Sequence, residues 1–550
     1  MSRPVVPADA TARAEMQQAN SLITQGNTTS ALPIVRRLLQ REPNLAGAHF
    51  LMGRIHLRQG NREQGLAAAT RAWQLDPKAA FTKLLLGEIY VDLRLPEYAL
   101  EILQQACRQV PEDHAANFQL GRCYLTMQKG HLASPHLEKA LAAARTPMEK
   151  IGASLALAEC LSSVSEGAAA DAVIDGLIRN YPQVPEPLFF RGSSVSKPVP
   201  QWLPEMLEAA SNNPKLDAED RANALLGLGR CHDVEGRHDL AFEMWSQSRA
   251  LLGVQQHEPG QLMRRSALIR SFYPKDMLER LSSHGNQTDS PIFIVGMPRS
   301  GTTLTAQVIG AHPACINVGE TDRIARHDAL FRDQYTGPDA GDKMQNDAEA
   351  GALRRIADEF TRFFSVFAEG SKSRPVEKTP ANYDHLGFIR LVFPKARIVH
   401  CRRHPADNFI SCFQHNMNRG HDYAYDQTAF AERYLAQEEM MRYWTSCFPE
   451  QIFELRYEDM VADQENMTRK LVAFCGLPWD EACLNFHAQK STVRTFSRDQ
   501  VRKPLYATSV GRWRRYGNHL DTLFATLEKH GYHGATDRPE ESRLATHHEH

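Results

Sequence analysis

A period of 34 residues runs through the early part of the chain. Small residues fall at Ala19, Gly53, Gly87 and Gly121, and again at Ala31, Gly65, Ala99 and Ala133, each 34 apart. Ala72, Ala106 and Ala140 keep the same interval, Tyr90 and Tyr124 share a register, and Pro43, Pro77 and Pro111 close three of the units. A fixed period of this length requires one unit repeated in space, because each unit alone cannot bury its apolar face. The small positions suit the close crossing of two antiparallel helices, and the prolines suit the end of the second. Four units fill 12–146, and a looser fifth spans 151–183 with Ala158, Ala170 and Pro182 in register. The pattern breaks over the proline-rich stretch 182–204 and resumes at Gly229, Ala241 and the helix through Ala250. The break, covering 184–216, reads either as a divergent repeat or as a boundary.

This pattern resembles the tetratricopeptide repeat, so an all-α solenoid domain is expected over 12–255. The resemblance implies a concave surface for a peptide or protein partner; the same surface would suit a homodimer. At 550 residues the chain exceeds one domain. With 64 basic and 65 acidic side chains and a net charge of −1, it lacks the charge excess of a general nucleic-acid or membrane-surface binder. The first residues contain no apolar core of signal-peptide length, and no apolar run is long enough to cross a bilayer. The ten cysteines are scattered without a Cys-x-x-Cys pair, as expected for reduced thiols in a cytoplasmic protein. The His-rich end reads as part of a disordered tail, 536–550, rather than a metal site, and no metal is expected elsewhere.

A connecting helix and polar linker, 256–290, lead into Pro291-Ile-Phe-Ile-Val-Gly-Met-Pro-Arg-Ser-Gly-Thr-Thr303. The run Ile292–Val295 has the look of a strand buried on both faces of a parallel sheet. From Gly296 to Thr303 the spacing is that of a phosphate-binding loop, and Leu304, Val308 and Ile309 continue at helical spacing. The first N–H groups of that helix are therefore available to an anion. Nucleotide triphosphatases place Lys before the loop hydroxyl; here that position is Thr302, and the positive charge sits at Arg299. Such a loop suits a less charged 5′-phosphate with a terminal sulfuryl group. The segment Arg299, Ser300, Gly301, Thr302, Thr303 resembles the 5′-phosphosulfate loop of sulfotransferases that use 3′-phosphoadenosine 5′-phosphosulfate (PAPS). An α/β domain of P-loop type with a parallel sheet is expected over 291–535.

Further strand ends carry candidate chemistry, where open α/β sheets place it. A short strand through Ile316 and Val318 leads to Glu320, a candidate general base for a hydroxyl acceptor. Another, at 376–380, presents Lys378, a candidate for stabilising charge on the leaving side. Arg299 joins these two as a catalytic candidate as well as a loop residue. A buried strand over 396–403 ends in Arg402 and Arg403, which alternate in direction so that one faces the ligand. Ser411 lies two turns into the following helix, so Arg403 and Ser411 can hold one phosphate between them. The strand from Ile452 ends at Tyr457, able to lie against a base or donate to a phosphate. The basic stretch 494–513 suits a flap over a bisphosphate.

Together these residues resemble the PAPS-dependent sulfotransferases, and more closely the bacterial group with N-terminal tetratricopeptide repeats, whose catalytic half is similar to tyrosylprotein sulfotransferase. By that resemblance Glu320 falls at the catalytic carboxylate and Lys378 at the lysine near the leaving group. Arg403 and Ser411 match the 3′-phosphate pair. Tyr457 and the segment containing Ser497, Gln500, Val501, Arg502, Lys503 and Pro504 match further nucleotide contacts. A cation carried by the tyrosylprotein enzymes one turn beyond the serine is His415 here, and His312 reads as structural in its His-Pro turn. The implied reaction is metal-independent in-line transfer from PAPS to a hydroxyl acceptor, with PAP as product. Peptide tyrosine, polysaccharide, lipid and small phenol stay open as acceptors. Two other readings stand beside it: a non-catalytic repeat scaffold with a degenerate loop, and a nucleotide kinase, against which the absent loop Lys argues.

Overall fold

The computed structural model describes residues 10–532 apart from 165, 254–257, 259, 338, 369–373, 418–419 and 489–506. Two compact units divide between Val173 and Ile174. The expected repeat domain, 12–255, straddles this division.

In the first unit the 34-residue period becomes a series of helix pairs: Ala10–Thr24 with Thr28–Arg41, Ala46–Arg58 with Arg62–Leu75, Ala80–Asp92 with Pro96–Gln109, and His114–Thr126 with Gly130–Ala143. The helix Pro147–Ser163 follows. The small residues mark the crossings. A Cβ on Gly87 would lie 2.4 Å from Leu103, and one on Gly121 would lie 2.7 Å from Leu137. Ala72, Ala99, Ala106, Ala133 and Ala140 are fully buried. Pro43, Pro77 and Pro111 sit just beyond the second helix of their pairs, where a residue lacking N–H cannot extend the helix.

The second unit opens with helices as well. The proline-rich break folds into two short helices, Glu186–Ser193 and Trp202–Ser211, followed by the longer pair Ala218–Glu235 and His238–Leu252. The same crossing logic holds there, since a Cβ on Gly229 would meet Trp245 at 2.4 Å. Phe242 and Trp245 share an apolar core with Phe409, Phe413 and Tyr516. The Phe242 and Phe413 rings lie 5.1 Å apart. The sequence puts every nucleotide motif after residue 290; the structure adds the helices 218–252 to the core beneath those motifs.

Among the described residues five strands form one parallel sheet: β1 Ile292–Gly296, β2 Cys315–Gly319, β3 Arg374–Glu377, β4 Arg397–Arg402 and β5 Ile452–Arg456. Their order is β2-β3-β1-β4-β5. Ile292 to Val295 are wholly buried, because β1 is central and covered on both faces. Its residues pair in register with β4 from Ile292↔Arg397 to Gly296↔Cys401. The chain leaves β1 toward β2 and leaves β4 toward β5. The carboxyl ends of β1 and β4 therefore flank the topological switch point, where open α/β sheets bind ligands.

Candidate active site

The loop after β1 adopts the conformation its glycines permit. Gly296 (φ +149°) and Gly301 (φ +102°) lie where side chains are disfavoured, and Arg299 itself takes φ +68°. A Cβ at Gly296 would meet the Cys401 carbonyl oxygen at 2.3 Å, and one at Gly301 would meet Tyr457 at 2.9 Å. The helix Thr302–Gly310 starts directly from Gly301, so its N-terminal amides border the loop. A left-handed residue followed closely by a helix start is an anion-binding arrangement. The helix Pro405–Phe413 holds the loop from the other side: Asn408 donates to the Pro298 carbonyl at 2.7 Å.

That helix also brings Ser411 to Arg299, whose Nε donates to the serine Oγ at 3.1 Å. Arg403 donates to the Arg299 carbonyl at 3.1 Å and to the Ser509 carbonyl at 2.7 Å, and its guanidinium lies 4.7 Å from the Tyr457 ring centroid. Arg402 turns the other way, donating to Glu438 and, at 2.7 Å, to Glu454. The two arginines diverge because adjacent residues at a strand end point to opposite faces. Burial, with Arg403, Arg230 and Arg512 nearby, lowers the Arg299 guanidinium to about 10. Burial and four surrounding arginines push His415 well below its ordinary range, so this imidazole is neutral at pH 7. Among the described residues, the buried Ser300 Oγ and Arg403 Nε have no hydrogen-bond partner. Buried polar atoms are rarely left so, and here both belong to groups suited to donating to an anion.

On the side of β1 away from β4, Glu320 follows the end of β2 and Lys378 follows the end of β3, where Gly319 pairs with Glu377. The Lys378 ammonium donates to Glu320 Oε1. Lys378 is almost wholly buried, whereas the Glu320 side chain is 46% exposed, so the carboxylate remains open to a substrate. Behind them lies a residue the sequence reading missed. Glu377 is buried and accepts from Thr379 Oγ1, from Asn382 Nδ2 at 2.8 Å and from Thr321 Oγ1 at 3.4 Å. Thr379 Oγ1 in turn accepts from the Thr321 N–H at 2.9 Å. These bonds fix the turns that carry Glu320 and Lys378. Burial raises the Glu377 carboxyl to about 7. The alternation Glu377-Lys378-Thr379 was the available signal: in an extended segment the neighbours of a lysine that faces the site point to the opposite side.

The remaining expected residues separate clearly. Thr302 and Thr303 are buried at the start of the loop helix. His312 is held in its turn, Nε2 against the Pro478 carbonyl at 3.0 Å and Nδ1 accepting from Ala314 N–H at 3.1 Å. His400 is buried against Gln437 at 2.6 Å and pushed down to about 3 by burial. Ser497, Gln500, Val501, Arg502, Lys503 and Pro504 lie outside the described residues. Among the described residues no helix is long and apolar enough to cross a membrane, and no group of three or more His, Cys, Asp or Glu could hold a metal ion.

Residues 291–481 match the sulfotransferase family model, and residues 16–80 match a tetratricopeptide-repeat model. An uncharacterized protein of Aquifex aeolicus is 31% identical over 344 residues, covering 59% of this chain and 44% of that protein. Protein-tyrosine sulfotransferase 1 of Danio rerio is 27% identical over 237 residues, covering 40% of this chain and 65% of that one. The matches thus span less than two thirds of either relative. Among solved structures, the sulfotransferase domain from the Synechococcus PCC 7002 olefin synthase aligns at 21% identity and a TM-score of 0.33, covering 46% of this chain and 98% of that one. The chain thus carries a segment, 291–481, that matches the sulfotransferase family, behind helices of which 16–80 match the tetratricopeptide repeat.

Proposed function

We propose that the chain transfers a sulfuryl group from PAPS to a hydroxyl acceptor, with PAP as product. One observation carries the reading: Arg299, Ser300, Arg403 and Ser411 meet at the ends of β1 and β4, and Ser300 Oγ and Arg403 Nε are buried donors without a partner among the described residues. Their chemistry fits a phosphorylated, sulfated nucleotide. On this reading Arg299 and the loop amides from Ser300 to Thr303 hold the 5′-phosphosulfate, Arg403 and Ser411 hold the 3′-phosphate, and Tyr457 lines the nucleotide site. The donor, when bound, supplies a sulfuryl group whose S–O bond to the 5′-phosphate breaks as the acceptor oxygen attacks sulfur.

Glu320 takes the acceptor proton as the new O–S bond forms, since a carboxylate becomes an adequate base only once that oxygen turns acidic. Lys378 and Arg299 stabilise the charge left on the bridging oxygen, a contribution of a few kcal/mol for preorganised cations. Protein tyrosine is one acceptor class consistent with the relatives' names, and the repeats offer a surface for a protein partner or a second copy. The unpaired pattern of cysteines supports a cytoplasmic setting. Calorimetry with PAP, with ATP and with Mg²⁺ tests the donor: PAP should bind equally well in EDTA. Binding abolished by chelation, or a preference for ATP, would refute the reading. Detection of sulfated products by mass spectrometry, in cells with and without the protein, then identifies the acceptor.

A further inference from the structure

Glu320 and Lys378 each stand just ahead of a helical segment: the helix Arg323–Gln334 after Glu320, and the short 3-10 helix Pro380–His385 after Lys378. The bonds around Glu377 join the two segments where they begin. A second link lies further along both, through a buried carboxylate that the chemistry above leaves unused. Asp328, in the second turn of its helix, is wholly buried. Its Oδ2 accepts from His385 Nδ1 at 2.5 Å, at the last residue of the 3-10 helix, and lies 3.2 Å from an Arg332 nitrogen. Its Oδ1 accepts from the Tyr273 hydroxyl.

Tyr273 lies ahead of the matched segment 291–481, in a stretch that the sequence presents as a connector. It is firmly seated. A Cβ on Gly387 would come within 2.5 Å of its ring, and its carbonyl accepts from the Tyr443 hydroxyl at 2.7 Å. Beside His385, Asp384 accepts from Arg433 at 2.7 Å, which ties the end of the 3-10 helix to the helix Gln427–Cys447 as well. Burying a carboxylate is costly even when it is fully bonded, and an apolar side chain of similar volume often serves stability equally well. What an apolar residue at 328 would not supply is direction. Asp328 is bonded to the 3-10 helix and to Tyr273 at once, so the two segments are held at two points. One point of attachment lets a turn pivot; two do not. Catalytic groups need to be held within about 0.5 Å of their productive geometry.

We propose that Asp328 is a positioning residue: by binding His385 and Tyr273 it sets the angle at which the Glu320 carboxylate meets the Lys378 ammonium. Its role in turnover rests on the sulfuryl-transfer reading above. The test uses the full chain and needs neither donor nor acceptor. A water-soluble carbodiimide joins a carboxylate directly to an amine that touches it. The rate at which the Glu320–Lys378 amide forms, followed by mass spectrometry of the digested protein, therefore reports the alignment of the pair. His385→Leu should slow that rate about 10-fold, the loss of one charge-assisted hydrogen bond. His385→Gln, which can still donate, should stay within about 3-fold of wild type on the same grounds. Tyr273→Phe deletes one hydroxyl and no packing, and should slow the rate about 3-fold. PAP affinity, by calorimetry, should stay within about 3-fold in all three variants, because none touches the nucleotide side of the sheet. Wild-type rates in both His385→Leu and Tyr273→Phe overturn the assignment, as does the absence of the amide in wild-type protein. Slow amide formation with an equal loss of PAP affinity overturns it too, since that marks a general loosening of the fold. Should His385→Leu not fold, Tyr273→Phe decides. Wild-type protein that does not bind PAP overturns the donor reading, while the amide rates still decide whether Asp328 aligns the pair.

Discussion

The ends of β1 and β4 treat charge in the opposite way from the ends of β2 and β3. At the first pair, Arg299 and Arg403 lie together, and Ser300 Oγ and Arg403 Nε find no partner among the described residues. At the second, Lys378 is neutralised by Glu320, and Glu377 is surrounded by donors that satisfy it. Crowded cations are unfavourable for the protein by itself and become favourable only with an anion. A self-neutral, cross-bonded cluster needs no ligand to be stable, and it holds its groups in place for a charge that develops later. On the proposed reading, the first pair of strand ends holds the donor and the second carries the proton transfer, with Arg299 serving both.

The sharpest way to break that division is Glu320→Gln, which keeps shape while removing basicity. Turnover should fall about 10²- to 10⁴-fold, with PAP affinity in calorimetry nearly unchanged. A Lys378→Ala variant should also turn over slowly but be partly rescued by a donor with a better leaving group, a rescue Glu320→Gln should not show. If Glu320→Gln were to turn over normally, the base would lie elsewhere. His400 and His312 are poor replacements, because both are locked into interior hydrogen bonds.

Glu377 gives a second handle, through pH. Its carboxyl is raised from 4.5 to about 7, chiefly by burial, so the fold favours the protonated form. The stability it contributes is complete below about pH 4.5, declines as pH rises toward 7 and is flat above. Glu377→Gln removes this dependence. Urea unfolding of both proteins should show the wild type losing about 3 kcal/mol relative to the variant between pH 4.5 and 7. A pH-independent difference would mean that Glu377 is ionised in the fold, and that this side of the sheet is not self-neutral.

A smaller effect tests the affinity side. Arg403→Ala and Ser411→Ala should weaken PAP more than adenosine 5′-phosphosulfate, by about 1.5 to 3 kcal/mol for the arginine and less for the serine. Equal weakening of both nucleotides would detach these residues from the 3′-phosphate.

Much of this was readable in sequence because it is local. A strand rich in Ile, Phe and Val, a glycine-bounded loop and helical spacing after it are written in consecutive residues, and each strand end presents its chemistry within two or three positions. The 34-residue period was equally plain, because a glycine is demanded wherever Leu103 or Leu137 presses against the facing helix. What sequence did not reveal lies between distant segments. Nothing near Asp233 announces Arg512, 279 residues away, as its partner at 2.6 Å. Glu377 stands beside a lysine already given a role, and only its burial shows that it organises the turn. The juxtaposition of Glu320 with Lys378 likewise depends on β2 and β3 being neighbours, which follows from strand order rather than from either segment.

The core shared by Trp245 and Phe413 has a consequence for how the protein is made. Arg249 reaches the carbonyl of Phe413 across 164 residues of chain, and Phe242 packs on the same phenylalanine. At translation rates of about 5 to 20 residues per second, the helices 218–252 are synthesised roughly 8 to 33 seconds before the surface that covers them. For that interval an indole and a phenyl ring built for an interior face solvent on the nascent chain, which makes this stretch a natural client for a chaperone acting at the ribosome.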